Sequence, residues 1–314
     1  MDTRKLGKNG PNLTTIGLGA WAMGGPWKVG WGPQEDEESI AAIRRAMELG
    51  INWIDTAAIY GLGHSEEIVG RALSQYPRDR VIIATKCGRV PDDTGTPYSD
   101  LRPESIRREM ENSLRRLGTD YVDLYQIHWP DNETGTPLEE SWATMSALQD
   151  EGKARYLGVS NFEVSHLERC EPIRHVDSIQ PPYNLLRRDA EKELFAWCLR
   201  SGTGVVVYSP MQSGLLTGSF DKSRLAPDDF RNRSPHFQEP NFSRALSIVD
   251  KLRPIAERHG KTVGQLAIAW TLMNPAVTSA IVGARRPEQV EENISAASWR
   301  LTDDDVAQIN VIVS

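Results

Sequence analysis

Residues 51–73 read INWIDTAAIYGLGHSEEIVGRAL. An apolar run ends abruptly in Asp55, and five residues later Tyr60 stands between an isoleucine and a glycine. Ser65 to Leu73 then reads as a helix. A buried strand, a short loop and a helix, in that order, are the unit from which parallel sheets are built. A carboxylate that ends such a strand, with a phenol close behind it, raises the question of what that strand end does.

The same alternation runs outward in both directions. Short apolar runs that read as buried parallel strands are TTIGLG (14–19), INWID (51–55), VIIATK (81–86), YVDLYQIH (121–128), ARYLGVSN (154–161), SIQ (178–180), GVVVYSP (204–210) and SAIVG (279–283). Between them lie helix-like stretches: Glu35–Leu49, Leu138–Asp150, Glu191–Arg200 and Pro287–Ala297. Ile106, Met110, Leu114 and Leu117 follow helical spacing, with Arg107, Arg108, Arg115 and Arg116 mostly on the other side. Gly50, Gly118, Gly152 and Gly202 suit left-handed helix ends. Thr302 reads as the N-cap of a last helix, with acidic residues in its first turn.

Eight strands separated by helices predict an α/β fold: a single (β/α)₈ barrel domain over residues 1–314, with a short N-terminal hairpin and extra C-terminal helices. A doubly wound sheet is the alternative. GLGAWAMGG offers glycines at Gly17 and Gly19 but no third glycine opening a helix, so the dinucleotide fingerprint is weak. The polar stretch Lys222–Phe242 is long for a connector and is expected to act as a lid or clamp.

Composition narrows the function classes. Of 314 residues, 39% are hydrophobic and 25% charged, which is ordinary for a soluble globular chain. The net charge of −7 gives no basic excess for nucleic acid or acidic membranes. No apolar run reaches membrane-spanning length, and the polar start MDTRKLGKNGPNL has no signal-peptide core. Cys87, Cys170 and Cys198 are odd in number and widely spaced, so a disulfide framework or zinc site is not expected, and a cytoplasmic setting is. The nine tryptophans favour an aromatic-lined pocket.

Barrel active sites lie at the C-terminal strand ends. Read in order, those ends are Asp55, Lys86, His128, Ser160 with Asn161, Gln180, Tyr208 with Ser209, and Gly283 to Arg285. Each has a plainer structural reading. Asp55 can cap a helix, Lys86 can be a solvated rim lysine, His128 a satisfied core histidine, and Tyr60 a surface aromatic. Convergence on one mouth weakens those readings. As a set, the residues make chemical sense. A free phenol has a pKa near 10, and a lysine cation beside it is expected to lower that value. An aspartate holds the lysine, and a neutral histidine donates a hydrogen bond to a substrate oxygen. Such a set can polarise a carbonyl and protonate the resulting oxygen. No metal-binding motif is present, so no metal is expected.

The chain resembles the aldo-keto reductases. The resemblance rests on IDTAAIYG with GHSEEIVGRAL, VIIATKCG, YVDLYQIHWP, LGVSNF, IQPPYNLL, VVVYSPMQSGLLTG and AIVGARRPEQVEENISA, in order over nearly the whole chain. It is similar to the bacterial branch and, less closely, to potassium-channel β subunits. The resemblance implies NADPH bound across the barrel mouth, with NADH less favoured. Tyr60 would be the general acid or base, tuned by Lys86 and Asp55, and His128 would orient the carbonyl. Ser160, Asn161 and Gln180 would hold the carboxamide, and Tyr208 would stack on the nicotinamide, beside Trp21. Ser209, Met211, Ser213, Gly214 and Leu215 would line the pyrophosphate; Gly283, Arg285, Gln289, Glu292 and Asn293 would hold the adenosine end. Positions where many members carry a lysine and an arginine for the 2′-phosphate are here Gly283 and Gln289, with Arg285 and Arg286 nearby.

Trp27, Trp129 and Tyr183 would complete an aromatic pocket for a small aldehyde, ketone or alcohol. The implied activity is an NADPH-dependent carbonyl–alcohol oxidoreductase with no nucleic-acid or membrane partner. The alternatives are an NADPH-binding redox-sensing regulatory subunit and a metal-dependent barrel hydrolase.

Overall fold

The apolar runs are short, rich in Val, Ile and aromatic residues, and bounded by turn formers, a pattern that favours strands over helices. In the computed structural model, which describes residues 1–314, they are strands. The chain starts with an antiparallel hairpin, β1 (Thr3–Lys5) and β2 (Asn12–Thr14). There follow β3 (Ile16–Gly19), β4 (Trp53–Asp55), β5 (Ile82–Cys87), a second hairpin of β6 (Arg89–Pro91) and β7 (Pro97–Ser99), β8 (Val122–Ile127), β9 (Ala154–Ser160), β10 (Ser178–Gln180), β11 (Gly204–Tyr208) and β12 (Val277–Gly283). Eight of them close into a parallel barrel in the order β3-β4-β5-β8-β9-β10-β11-β12, with β12 paired back to β3.

The helices α1 (Asp36–Glu48), α2 (His64–Leu73), α3 (Pro103–Leu117), α4 (Leu138–Asp150), α5 (Val164–Cys170), α6 (Leu194–Ser201), α7 (Asn241–Glu257), α8 (Val263–Met273), α9 (Pro287–Ile294) and α10 (Asp303–Val313) accompany the barrel. This is the (β/α)₈ architecture with an N-terminal hairpin. On α3 the stripe Ile106, Met110, Leu114 and Leu117 is buried as its spacing requires. Thr302 caps α10 in a reciprocal box with Asp305.

The floor of the barrel explains the glycine pair of the first strand. Leu6 and Leu13 from the hairpin plug the interior against Trp53, Leu124, Val206 and Ile281. The Trp53 ring lies so close to β3 that a Cβ on Gly17 would sit 2.0 Å from it. Gly17 therefore serves packing at the closed end, away from the mouth.

Three helices escaped the sequence reading: α5, α7 and α8. Buried residues run through nearly all of α8, so it has no polar face to produce a stripe. α6 begins at Leu194, three residues later than expected, because Asp189–Glu191 forms a separate 3₁₀ turn. The three cysteines are buried and unpaired, and burial pushes the Cys170 and Cys198 thiols up to about 12. No helix is long and apolar enough to cross a membrane.

Candidate active site

Side chains alternate along a strand, so residues two apart share a face. Trp53 and Ala84 point into the barrel with the floor cluster. Asp55 and Lys86, two residues further on, therefore point inward one layer nearer the mouth. There the Lys86 ammonium lies 2.5 Å from Asp55 Oδ1, 2.8 Å from the Thr56 carbonyl and 3.4 Å from the Tyr60 hydroxyl. Three acceptors use all three ammonium protons. Both ends of the ion pair are buried, with side-chain exposures of 0% and 4%. The second Asp55 oxygen accepts from Gln180 at 2.9 Å and from Gln126 at 3.4 Å.

Gln126 was not among the expected residues. The signal was present in YVDLYQIH, where Gln126 lies two before His128 and so shares its strand face.

Above this layer the mouth opens into a cavity of about 860 Å³. Asp55, Tyr60 and His128 line it, and Lys86 sits beneath. The Tyr60 and His128 rings meet edge to face, centroids 5.6 Å apart. Burial, with Lys86 and Arg89 adding, holds the His128 imidazole well below its usual range, so the ring is neutral. Tyr60 departs from expectation. Burial, reinforced by the Asp55 carboxylate, pushes its phenol well above 10. The Lys86 ammonium reaches the phenol oxygen at 3.4 Å but is paired more closely with Asp55, which offsets its charge there. Burial also lowers the Lys86 ammonium, against the pull of Asp55.

Along one side of the cavity runs a polar shelf. Ser160 Oγ donates to the Gln180 carbonyl at 2.8 Å, and Asn161 Nδ2 donates to the His128 carbonyl at 3.0 Å. Asn161 takes a left-handed backbone, φ 62°, which is tolerable for asparagine and turns its amide back to the barrel. The Tyr208 hydroxyl donates to Asn161 Oδ1 at 2.8 Å, fixing the ring at the cavity wall. Beyond it, Ser209, Gln212 and Ser213 all have positive φ, between 47° and 56°. Such strain in successive non-glycine residues marks a backbone held for a purpose, and turns of this kind present N–H groups to anions. Asn184 braces this loop, donating to the Ser209 carbonyl and to Gln212 Oε1.

At the far end, Gly283, Arg285 and Gln289 line the cavity. Arg285 is tethered. Its guanidinium donates to Gln34 Oε1 and to the Pro33 carbonyl, and its backbone N–H donates to Gln289 Oε1. Arg286 is exposed.

The stretch 222–242 packs across the mouth as three 3₁₀ turns. Phe230 lies 4.8 Å from Trp21 and 5.2 Å from Trp31, and the Arg231 guanidinium sits 4.5 Å over the Trp31 ring. Arg231 is itself clamped by Asp229. Arg233 donates to the Lys28 carbonyl at 2.6 Å, joining this segment to the loop after β3. The glycine-rich loop around Trp27 and Trp31 and the stretch 222–242 both stand out in the sequence, but the meeting of Trp31 with Phe230 and Arg231 does not, because it joins segments some 200 positions apart.

The cavity gathers Trp21, Trp27, Trp129, Ser160, Asn161, Gln180, Tyr208, Ser209, Met211, Ser213, Gly214, Gly283, Arg285 and Gln289 of the expected residues. Besides Lys86, which sits beneath it, four lie outside its lining. Leu215 is buried against Phe237 and Ala245. Glu292 accepts from Thr262 on the outside, and Asn293 donates to the Gly283 carbonyl from behind. Tyr183 packs in the core between Phe195 and Trp270. Arg89, which the sequence did not suggest, does line the cavity, held by Ser99, Pro97 and Glu133. No group of three or more His, Cys, Asp or Glu residues is placed to hold a metal ion.

Comparison with known proteins gives concordant matches. The model of the aldo/keto reductase family matches residues 15–314. Aldo-keto reductase YhdN of Bacillus subtilis is 40% identical over 100% of this chain and 94% of its own length. The NADH-specific methylglyoxal reductase of Escherichia coli is 38% identical over 96% of this chain and 94% of its own. Among solved structures, the glycerol dehydrogenase AKR11B4 from Gluconobacter oxydans superposes with a TM-score of 0.88 at 40% identity, covering 99% of this chain and 95% of that one.

Proposed function

The chain belongs to the aldo/keto reductase family, and from that premise we propose that it is a nicotinamide-dependent oxidoreductase that interconverts small carbonyl compounds and alcohols, with Tyr60 as the proton donor. One observation carries the reading: the buried Asp55–Lys86 pair reaches the half-buried Tyr60 hydroxyl, which stands beside a neutral His128 in one cavity.

The residues fit the cofactor. The polar shelf of Ser160, Asn161 and Gln180 suits a carboxamide, the fixed Tyr208 ring offers a stacking face, and the positive-φ loop 209–214 suits a pyrophosphate. When bound, a nicotinamide supplies the hydride that reduces the carbonyl carbon. The protein's own part is the proton and the charge. His128 donates a hydrogen bond to the carbonyl oxygen and polarises it. Tyr60, kept protonated by its buried setting, gives its proton to that oxygen. The phenolate left behind faces the Lys86 ammonium 3.4 Å away, and Asp55 keeps that ammonium charged and in place. In the reverse direction the phenolate takes the proton of an alcohol.

NADPH is the favoured cofactor. Gly283, Ala284, Arg285 and Gln289 at the adenosine end include no carboxylate to select a free 2′-hydroxyl, and Arg285 and Arg286 supply positive charge. NADH is the alternative, supported by the tethering of Arg285 to residues 33–34. The pocket beside Tyr60, walled by Trp27 and Trp129 with Arg89 at its edge, suits a small polar aldehyde or ketone. The closed barrel supports reading residues 1–314 as one domain, and three unpaired buried thiols support a reducing, cytoplasmic setting.

The deciding experiment is fluorescence titration with NADPH and NADH, followed by turnover on a panel of aldehydes, ketones and polyols. Binding with turnover supports the reading. Tight binding without turnover points to a redox-sensing subunit, and no binding of either nucleotide overturns both.

A further inference from the structure

The end of β5 is a single peptide unit held from two sides. The Cys87 carbonyl accepts the backbone N–H of His128 at 2.9 Å. Across the same peptide plane, the Gly88 N–H donates to Glu109 Oε1 at 2.9 Å. Lys86 precedes this unit and Arg89 follows it. Glu109 belongs to α3, outside the barrel, and is only 5% exposed. Its second oxygen, Oε2, is buried with no hydrogen-bond partner, and so is Ser113 Oγ one turn further along the same helix.

The surroundings of Glu109 hold no ion-pair partner for it. Cys87 faces it from β5, Tyr125 from β8, Glu66 from α2 and Asp100 from the loop before α3; Arg108 stands on α3 itself. Glu66 is paired with Arg116, and Asp100 with Arg102. Burial first, then the Glu66 and Asp100 charges, pushes the Glu109 carboxyl up to about 8. A buried carboxyl without a cation is tolerated as the neutral acid and is costly as the anion. An apolar side chain would fill the same space without that penalty. What Glu109 adds is a grip on one peptide.

We propose that Glu109 is a positioning residue for the reaction: it fixes the 87–88 peptide, and through it the backbone anchor of His128 and the path of the chain into Arg89. The inference rests on the carbonyl-reductase reading above. Ionised, Glu109 has one N–H to solvate it and two carboxylates nearby. It must then draw in water or turn away, and the peptide loosens.

The test compares wild type, E109Q and E109A. Gln keeps the acceptor for Gly88 without a titrating proton; Ala removes it. For each, kcat and KM are measured from pH 6 to 9.5 on a carbonyl that the wild type reduces, alongside thermal melting over the same range. The wild-type kcat should fall about tenfold from pH 7 to 9.5, with the nucleotide KM unchanged. E109Q should hold a flat kcat within about twofold of the wild-type value at pH 6.5. E109A should be about tenfold slower throughout. Because the folded-state pKa is raised, the neutral acid is favoured by folding, so wild-type stability declines relative to E109Q as pH rises to about 8 and then levels. An alkaline fall in E109Q equal to that in the wild type assigns the limb to another group, such as Lys86, and overturns the proposal. So does a folded E109A with wild-type kcat. If E109A does not fold, E109Q alone decides. A wild type that reduces no carbonyl at any pH removes the functional reading and the positioning role together, even where the melting difference shows the buried acid.

Discussion

The Lys86 ammonium is held 2.5 Å from Asp55 Oδ1, and the two side chains come from neighbouring strands and are both buried. A buried pair of this kind is costly to break from one side, because the remaining charge is left unpaired. It also faces the Tyr60 hydroxyl, so fold stability and chemistry are tied to the same contact.

Replacing Asp55 with Asn should therefore reduce both. Leaving Lys86 unpaired costs about 3–5 kcal/mol, which lowers Tm by roughly 5–10 °C. The rate should fall at least about a hundredfold with the loss of a positioned acid–base group. The double variant D55N/K86M should melt higher than D55N while staying inactive. Calorimetry with single-turnover assays checks this; a D55N protein as stable as wild type would show that the pair is not a buried charge couple.

Tyr60→Phe should lose about 10²–10⁴-fold in kcat. Nucleotide affinity should change by less than about threefold, because the hydroxyl reaches Lys86 and the substrate side of the cavity rather than the polar shelf. Stopped-flow turnover and fluorescence titration separate the two quantities. Unchanged turnover would remove Tyr60 from the mechanism.

The Tyr60-dependent part of the pH profile should differ between the two directions. Because the Tyr60 phenol is pushed above its usual 10, it is protonated throughout the neutral range. Carbonyl reduction, which uses the acid, should show no limb from Tyr60 between pH 6 and 9. Alcohol oxidation needs the phenolate, so its rate should rise about tenfold per pH unit from pH 6 to 7, below the range in which Glu109 ionises. A pH-independent oxidation rate would mean that the phenol is not the base.

On the proposed binding mode, cofactor choice should respond to Arg286, the exposed arginine next to the cavity end lined by Gly283, Arg285 and Gln289. Arg286→Ala should raise the NADPH KM about tenfold, as loss of a charge-assisted phosphate contact does, and leave the NADH KM unaltered. Equal effects on both nucleotides would show that the residue does not read the 2′-phosphate.

Phe230, in the segment across the mouth, packs on Trp21 and Trp31. Phe230→Ala removes contacts of about 1–3 kcal/mol. Nucleotide should then dissociate roughly tenfold faster, with little change in the chemical step. Stopped-flow release followed by tryptophan fluorescence measures it, and an unchanged release rate would mean that the segment does not hold the ligand.

Much of this architecture was legible before any coordinates. Eight apolar runs of strand length, each followed by a turn and most by a helix, leave few solutions other than a closed parallel barrel. The strand-end rule then picked Asp55, Lys86 and His128 from the residues available, and Gln126 was within reach by the same alternation. The helix α8 was not legible, because burial on all sides erases the periodicity by which helices are read. Tyr183 was misplaced for a related reason: an aromatic residue near a strand end looks the same whether it faces the mouth or, as here, the core between Phe195 and Trp270.

The sequence by itself determined the barrel, the order of its strands and the residue types at its mouth, because hydrophobic periodicity and turn chemistry are local properties of the chain. Only the tertiary structure decided the state of those residues. The pKa of Tyr60 depends on how deeply it is buried and on which neighbour Lys86 meets first. The reach of Arg285 depends on the loop at Gln34, and the packing of the segment around Phe230 depends on its meeting Trp21 across 209 positions. Burial and charge pairing are sums over neighbours distant in sequence, so these properties exist only once the chain has folded.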